Sequence, residues 1–419
     1  MKPPPFISTA DPDSFARRTI RVRKPAILAS VREAHDLPAG IVAQLENLRE
    51  SLAEGRLIES FALFAHDPGL FAPAELAAWR GALAGCGERG WLDLPWYFAE
   101  SYFYVSLLLA FGYYDPEAPT FRQDPFAPFK QRELSGPGGG LELAGGVLAR
   151  TNEPAGAAER LRALLYFCLW GNRVDLSNID IAEDMRGRVL APHDPESGHL
   201  LYDESPRVVA ALLGARRVDF VLDNCGAELV CDLILALSLL EEAGVEHVIL
   251  HLKQAPFFVS DATAEDLEQT LAALSAESAP AVRRAGKRLQ ALRGEGRLAL
   301  ADHYFWNGPL HFPDLPDALR SELSDSDLVV LKGDANYRRL VSDRRWPASA
   351  RLAEIAAYFP APLTCLRTLK SELTLDLSKK RVAALDAADP EWRVNGRRGI
   401  IRWLPRPAPQ ANAEPAYSP

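Results

Sequence analysis

The sequence predicts an α/β protein: a mainly parallel sheet with helices on both faces, preceded by a helical region. Two observations carry this. From about residue 215, short β-rich runs at 218–222, 245–251, 297–301, 327–331 and 363–366 alternate with amphipathic segments such as 229–242 and 264–274. Strands separated by helix-length crossovers pair in parallel and bury both faces. Up to about Phe121, apolar residues instead recur at intervals of three and four, as at Ile41, Leu45, Leu48, Leu52 and Leu57. The expected organisation is a helical N-terminal region over 1–210, a Rossmann-like α/β/α core over 211–404, and a disordered Pro-rich tail over 405–419.

Taken from the N-terminus, MKPPPFISTADPDSFARR has prolines where a signal peptide would have its apolar core. The apolar stretch 102–112 is about half the roughly 20 residues that a membrane span needs, so it reads as a buried helix. GPGGGLELAGG at 136–146 misses the GxGxxG register and reads as a flexible loop, with helix resuming over 157–170. Five cysteines (Cys86, Cys168, Cys225, Cys231 and Cys365) form no CxxC pair, which suggests free thiols and a cytoplasmic location. Of the 419 residues, 48% are hydrophobic and 25% charged, an ordinary globular balance. A net charge of -9 disfavours non-specific nucleic-acid binding, although a local basic cluster can still serve an anionic substrate.

The chemistry gathers at strand ends, where sheets of this kind place their sites. VDFVLDNCGAEL (218–229) runs from a strand into Asp223 and Asn224, with Gly226 permitting a turn into a helix near Glu228. A carboxylate and an amide beside a helix N-terminus suit a divalent cation with a bound phosphate; the plainer alternative is a helix cap. Asp261 follows the next strand, where it could approach Asp223 or simply cap the helix near Ala264. A third strand ends at Lys332, Gly333 and Asp334, a plausible phosphate cradle. A fourth leads into Arg367, Thr368 and Lys370. His251 and His303 also lie near strand ends, but a lone histidine is more often structural, and both are left out of the site.

Eight ordered blocks carry a more specific signal: LPWYFAESYFY (94–104), DPFAPFKQREL (124–134), LWGNRVDLS (169–177), DNCGAEL (223–229), FVSDAT (258–263), FWNGPL (305–310), KGDANYRRL (332–340) and RTLK (367–370). Over about 91–372 the chain resembles the metal-dependent damage-control phosphatases, in particular the subfamily also described as acidic-residue carboxyl methyltransferases. The resemblance implies a phosphatase acting on small phosphometabolites, sugar phosphates such as fructose 1-phosphate or fructose 6-phosphate. It implies metal ligation by Asp223, Asn224 and Asp261, with Mn²⁺, Co²⁺ or Ni²⁺ favoured over Mg²⁺. It further implies substrate contacts from Glu100, Asn172, Asp175, Lys332, Asp334, Arg367 and Lys370, and catalytic roles for Asp223, Asp261 and Lys332. The chain departs from the family pattern at Val105, where arginine is usual, at Cys225, where a small residue is usual, and at Asp376, where glycine is typical.

Three rivals remain. A methyltransferase using S-adenosylmethionine would show a Gly-rich turn after its first strand, whereas DNCGAEL has one glycine. A haloacid-dehalogenase-type phosphatase needs DxDx[TV] after a strand, whereas Asp325-Ser326-Asp327 precedes one. A non-catalytic sugar-phosphate-binding protein would be expected to lose the acids, which are all present. The nucleophile, water or a carboxylate of Asp223 or Asp261, stays open at this stage, as does the oligomeric state; no nucleic-acid or membrane partner is expected.

Overall fold

The computed structural model describes residues 3–56, 58, 71–151, 156–171 and 199–406. Seven strands form one sheet: β1 (Leu200–Asp203), β2 (Arg217–Val221), β3 (His247–Leu252), β4 (Leu298–Asp302), β5 (Leu328–Lys332), β6 (Leu363–Thr368) and β7 (Gly399–Leu404). Their order across the sheet is β1-β7-β6-β5-β2-β3-β4. The run from β4 to β6 is parallel, β7 is antiparallel to β6, and β1 runs with β7.

Alternation along the strands sends side chains to two cores. Val218 and Phe220 of β2 and Leu328 and Val330 of β5 meet Leu229 and Leu233 of the helix Gly226–Glu242. Val221, Val329 and Leu331 face the other way, onto Phe305, Trp306 and Phe312. Both faces being covered is what a parallel sheet requires. A third core, built from Trp79, Trp91, Tyr102, Phe103 and Phe111, takes in Ala255 and Phe257 from the segment after β3. Through those two residues the N-terminal helices pack onto the rim of the sheet. Each such ring, once buried, contributes about 1.5–3 kcal/mol of transfer free energy. The helix Trp96–Phe111 at the centre of this core is buried almost all round, as its predominantly apolar sequence requires, with Glu100 paired to Lys24 and Arg338. It ends at Gly112, whose φ of 81° forms a left-handed cap that a side chain would disfavour.

Two strands are additions to the expected pattern. β1 lies within the stretch read as helical; at four residues, three half-buried and one exposed, it is too short for a two-residue alternation to register. β7 is interrupted by Arg402, whose guanidinium forms ion pairs with Glu204 at 2.9 Å and Asp376 at 3.1 Å. The expected loop over 136–146 is also corrected, since Gly140–Thr151 is a helix. Its glycine is there for packing: a Cβ on Gly140 would lie 3.0 Å from the Gly226 carbonyl oxygen and from Val230. Most of the expected tail, 407–419, lies outside the described residues. No helix among the described residues is long and apolar enough to cross a membrane.

Candidate active site

From β2 the chain moves outward through β3 to β4, then returns to the other side of β2 as β5. The strand order therefore reverses between β2 and β5, and the crevice beyond their C-terminal ends is where ligands bind in such sheets. Asp223 follows β2, and Gly333 and Asp334 follow β5. Gly333 has φ of +84°, and a Cβ there would come within 1.9 Å of Asp223 Oδ2. Only glycine lets the β5 turn close on that carboxylate.

The loop after β3 folds back so that Asn224 and Asp261 form an antiparallel bridge. Cys225 N donates to the Ser260 carbonyl at 2.7 Å, and Ala262 N donates to the Asp223 carbonyl at 2.9 Å. The backbone thus clamps the two acids side by side. Phe258 and Val259, just before Asp261, hold φ of 47° and 65°. A β-branched residue in that region is strained, and such strain persists where packing fixes a functional geometry.

Side chains fix the amide between the acids. Asn224 Nδ2 donates to Asp223 Oδ2 at 3.0 Å and to Glu228 Oε2 at 2.8 Å, while Asn224 Oδ1 accepts from Ser260 Oγ at 2.6 Å. Glu228 is held in turn by Lys332 Nζ at 3.1 Å, which also contacts Asp232 at 2.7 Å and the Cys168 carbonyl at 2.5 Å. Burial pushes the Asp223 carboxyl well above its usual range, and the neighbouring charges of Asp261 and Glu228 add to this. Burial likewise raises Asp261 to about 6, against the opposing pull of Lys253. Asp261 Oδ2 lies 3.2 Å from Lys253 Nζ, yet it makes no hydrogen bond among the described residues.

A cavity of about 390 Å³ opens over these groups. Of the residues singled out from sequence, Asp223, Asn224, Asp261, Asp334, Lys370 and Glu100 line it. Lys332 and Arg367 do not. Lys332 is wholly buried beneath the floor, its ammonium committed to Glu228 and Asp232. Arg367 Nε donates to Asp334 Oδ1 at 2.7 Å, and the same oxygen accepts from Lys370 N at 3.2 Å and Ser371 Oγ at 3.1 Å. Asp334 thereby pins the RTLK turn, with the exposed Lys370 side chain left at the cavity. Asn172 and Asp175 lie outside the described residues. Sequence reasoning missed Arg23 and Lys24, which reach the cavity from the N-terminal helices. A basic run, RRTIRVRK at 17–24, was the available signal. His251 is buried against Asp219, with Nε2 2.9 Å from Oδ1, and His303 Nδ1 caps the turn at Phe305; both are structural.

Lys332→Ala strands two buried carboxylates and should lower stability by about 3–5 kcal/mol in chemical unfolding. Arg345→Ala, at a half-exposed side chain 3.7 Å from Asp11, should stay within about 0.5 kcal/mol. Glu100 gives a pH signature. Burial alone would raise its carboxyl, but Lys24 at 2.9 Å and Arg338 at 2.6 Å overcome that and hold it at about 2 rather than 4.5. Its contribution is fully present above pH 4.5 and is lost as pH falls toward 2. Linkage makes this on the order of 3 kcal/mol, so Glu100→Gln should flatten the acid limb of a stability–pH curve by that amount.

The floor fits an oxygen-seeking divalent cation. Asp223 and Asp261 are buried carboxylates whose ionised forms repel each other, one carboxylate oxygen has no hydrogen bond, and the intervening amide is already oriented. No group of three or more His, Cys, Asp or Glu side chains among the described residues is arranged to hold an ion, so the candidate donor set is two carboxylates and the amide.

The model of the damage-control phosphatase ARMT1-like domain matches residues 16–385. The chain belongs to this family. It is 30% identical to a damage-control phosphatase ARMT1 from Danio rerio, over 96% of this chain and 97% of the relative. It is 30% identical to its Mus musculus counterpart, over 96% and 98%. A crystal structure of a DUF89 family protein from Pyrococcus horikoshii superposes with a TM-score of 0.49 at 14% identity, covering 93% of this chain and 97% of that one. As a damage-control phosphatase the chain is an enzyme, a hydrolase of phosphate esters. The match begins at residue 16, so the family domain takes in the N-terminal wall of the cavity, with Arg23 and Lys24.

Proposed function

We propose that this damage-control phosphatase hydrolyses small sugar phosphates, fructose 1-phosphate or fructose 6-phosphate among them, with a divalent cation held by Asp223, Asn224 and Asp261. The observation that carries this reading is the clamp of Asp223 against Asn224 and Asp261 at the floor of a cavity that also exposes Lys370. When bound there, Mn²⁺, Co²⁺ or Ni²⁺ supplies Lewis-acid polarisation of a phosphoryl oxygen. Lys370 offsets the charge of the transferring group from the cavity edge. Asp334 holds the turn that carries Lys370, and Arg367 holds Asp334 in place through their ion pair. Glu228 orients the Asn224 amide, and Lys332 serves through Glu228, as a positioning group rather than a phosphate contact. Phe15, Trp96, Tyr104 and Phe258 line the remainder and limit water access. Five buried free cysteines support action in the cytoplasm.

The test is phosphate release from a panel of sugar phosphates. Activity should be lost to a chelator and regained with Mn²⁺, Co²⁺ or Ni²⁺, with no need for S-adenosylmethionine. Calorimetry on the same preparation reads the competing reading: tight S-adenosylmethionine binding without phosphate release under any cation would overturn the phosphatase in favour of the methyltransferase.

A further inference from the structure

Two cavity-lining groups, Lys24 and Tyr104, contribute a hydrogen-bond arrangement that phosphate transfer does not use. Lys24 opens the helix Lys24–Ala34 and is buried, with Nζ 2.9 Å from Glu100 Oε1 and donating to Tyr104 Oη at 3.2 Å. The rings of Tyr104, Phe103 and Phe258 surround the ammonium at 4.5, 5.4 and 5.6 Å from their centroids. An ammonium can only donate, so the phenol oxygen is the acceptor of that bond and keeps its own hydrogen. Among the described residues that hydrogen is donated to no group, and Tyr104 lines the cavity. Glu100, also on the cavity, is an acceptor only, and one ammonium binds both groups, so they lie side by side. Lys24 and Arg338 face Glu100 and Asp343, and Arg338 spends its Nε and Nη2 on Asp343 at 2.8 and 2.9 Å. This wall therefore presents an O–H donor next to a carboxylate acceptor, with Arg23 also at the cavity. A hydroxyl matches it with both of its valences, accepting from Tyr104 and donating to Glu100.

We propose that Tyr104, oriented by Lys24, is a specificity-determining residue that donates its hydroxyl hydrogen to a hydroxyl oxygen of a polyol moiety of the substrate. The inference rests on the phosphatase reading and names the substrate class of that same cavity. The test compares Tyr104→Phe with the parent on fructose 6-phosphate and on p-nitrophenyl phosphate, which has no polyol. The ratio of kcat/KM for the sugar ester over the aryl ester should fall roughly three- to tenfold, the worth of one hydrogen bond, through KM rather than kcat. Lys24→Met should shift the same ratio in the same direction; should that variant fail to fold, the isosteric Tyr104→Phe decides alone. An unchanged ratio in Tyr104→Phe overturns the proposal. If the parent releases phosphate from neither ester, the phosphatase reading fails instead. Calorimetry with fructose 6-phosphate then decides the subsite: weaker binding by Tyr104→Phe supports it, and equal binding, or none by the parent, overturns it.

Discussion

Asp223→Ala should abolish cation-dependent phosphate release, and Asp261→Ala should do the same, each by at least about 10²–10³-fold, the scale of losing one preorganised charged group at a reacting centre. The argument is electrostatic. The two side chains are 7% and 2% exposed, and both have carboxyls pushed upward by burial. Burial and their mutual repulsion make their ionised forms costly, so a bound cation gains strong attraction beyond that of the nearby Lys253. The same reasoning predicts that the fold survives loss of Asp223. An acid whose folded pKa is raised lowers stability as pH climbs past its unfolded value, so at neutral pH metal-free Asp223→Ala should melt no lower than the metal-free parent, whereas Asp261→Ala also leaves the buried Lys253 without its carboxylate. Full activity in either variant at limiting cation would sink the assignment.

Gly333→Ala should be nearly as damaging to turnover, although it removes no functional group. The added methyl would overlap Asp223 Oδ2, at 1.9 Å, in a backbone conformation that alanine adopts only with strain. About 1–3 kcal/mol of backbone strain is expected, together with displacement of the Asp223 carboxylate. The measurement is calorimetric Mn²⁺ affinity alongside kcat. A variant with parental affinity and turnover would mean that the β5 turn does not set the position of Asp223. Ala335→Gly, two residues on, is a useful comparison: it perturbs the same helix, Asp334–Leu340, without touching the carboxylate, and should cost only about 1 kcal/mol of stability.

How much of this could be read beforehand follows from the kind of signal each part leaves. That Asp223 and Asp261 come together was legible because Asp223 stands just beyond one apolar strand and Asp261 follows the next strand and its loop, and parallel sheets gather such ends on one rim. The role of Lys332 was not legible. A lysine at a strand–helix junction looks the same in sequence whether it faces a ligand or, as here, carboxylates from a neighbouring helix. Only the packing of Gly226–Glu242 against β5 brings Glu228 and Asp232 to it. Arg23 and Lys24 were hidden by distance, some two hundred positions before the acids with which they share a cavity. Gly140 misled in the usual way of glycines that serve close packing, since in sequence they look the same as breakers.

The position of β7 sets the order in which the molecule can be completed during synthesis. β1 pairs with β7 alone, Leu200 opposite Gly399, and β6 has β7 on its outer side. The nascent chain leaves the ribosome with β1 lacking a mate until nearly two hundred further residues have been added, on the order of 10–40 s at typical elongation rates. Lys370 emerges only shortly before that last strand. The cavity is therefore assembled only after those residues have emerged, and a stop ahead of Gly399 leaves two strand edges bare instead of yielding a shortened working enzyme.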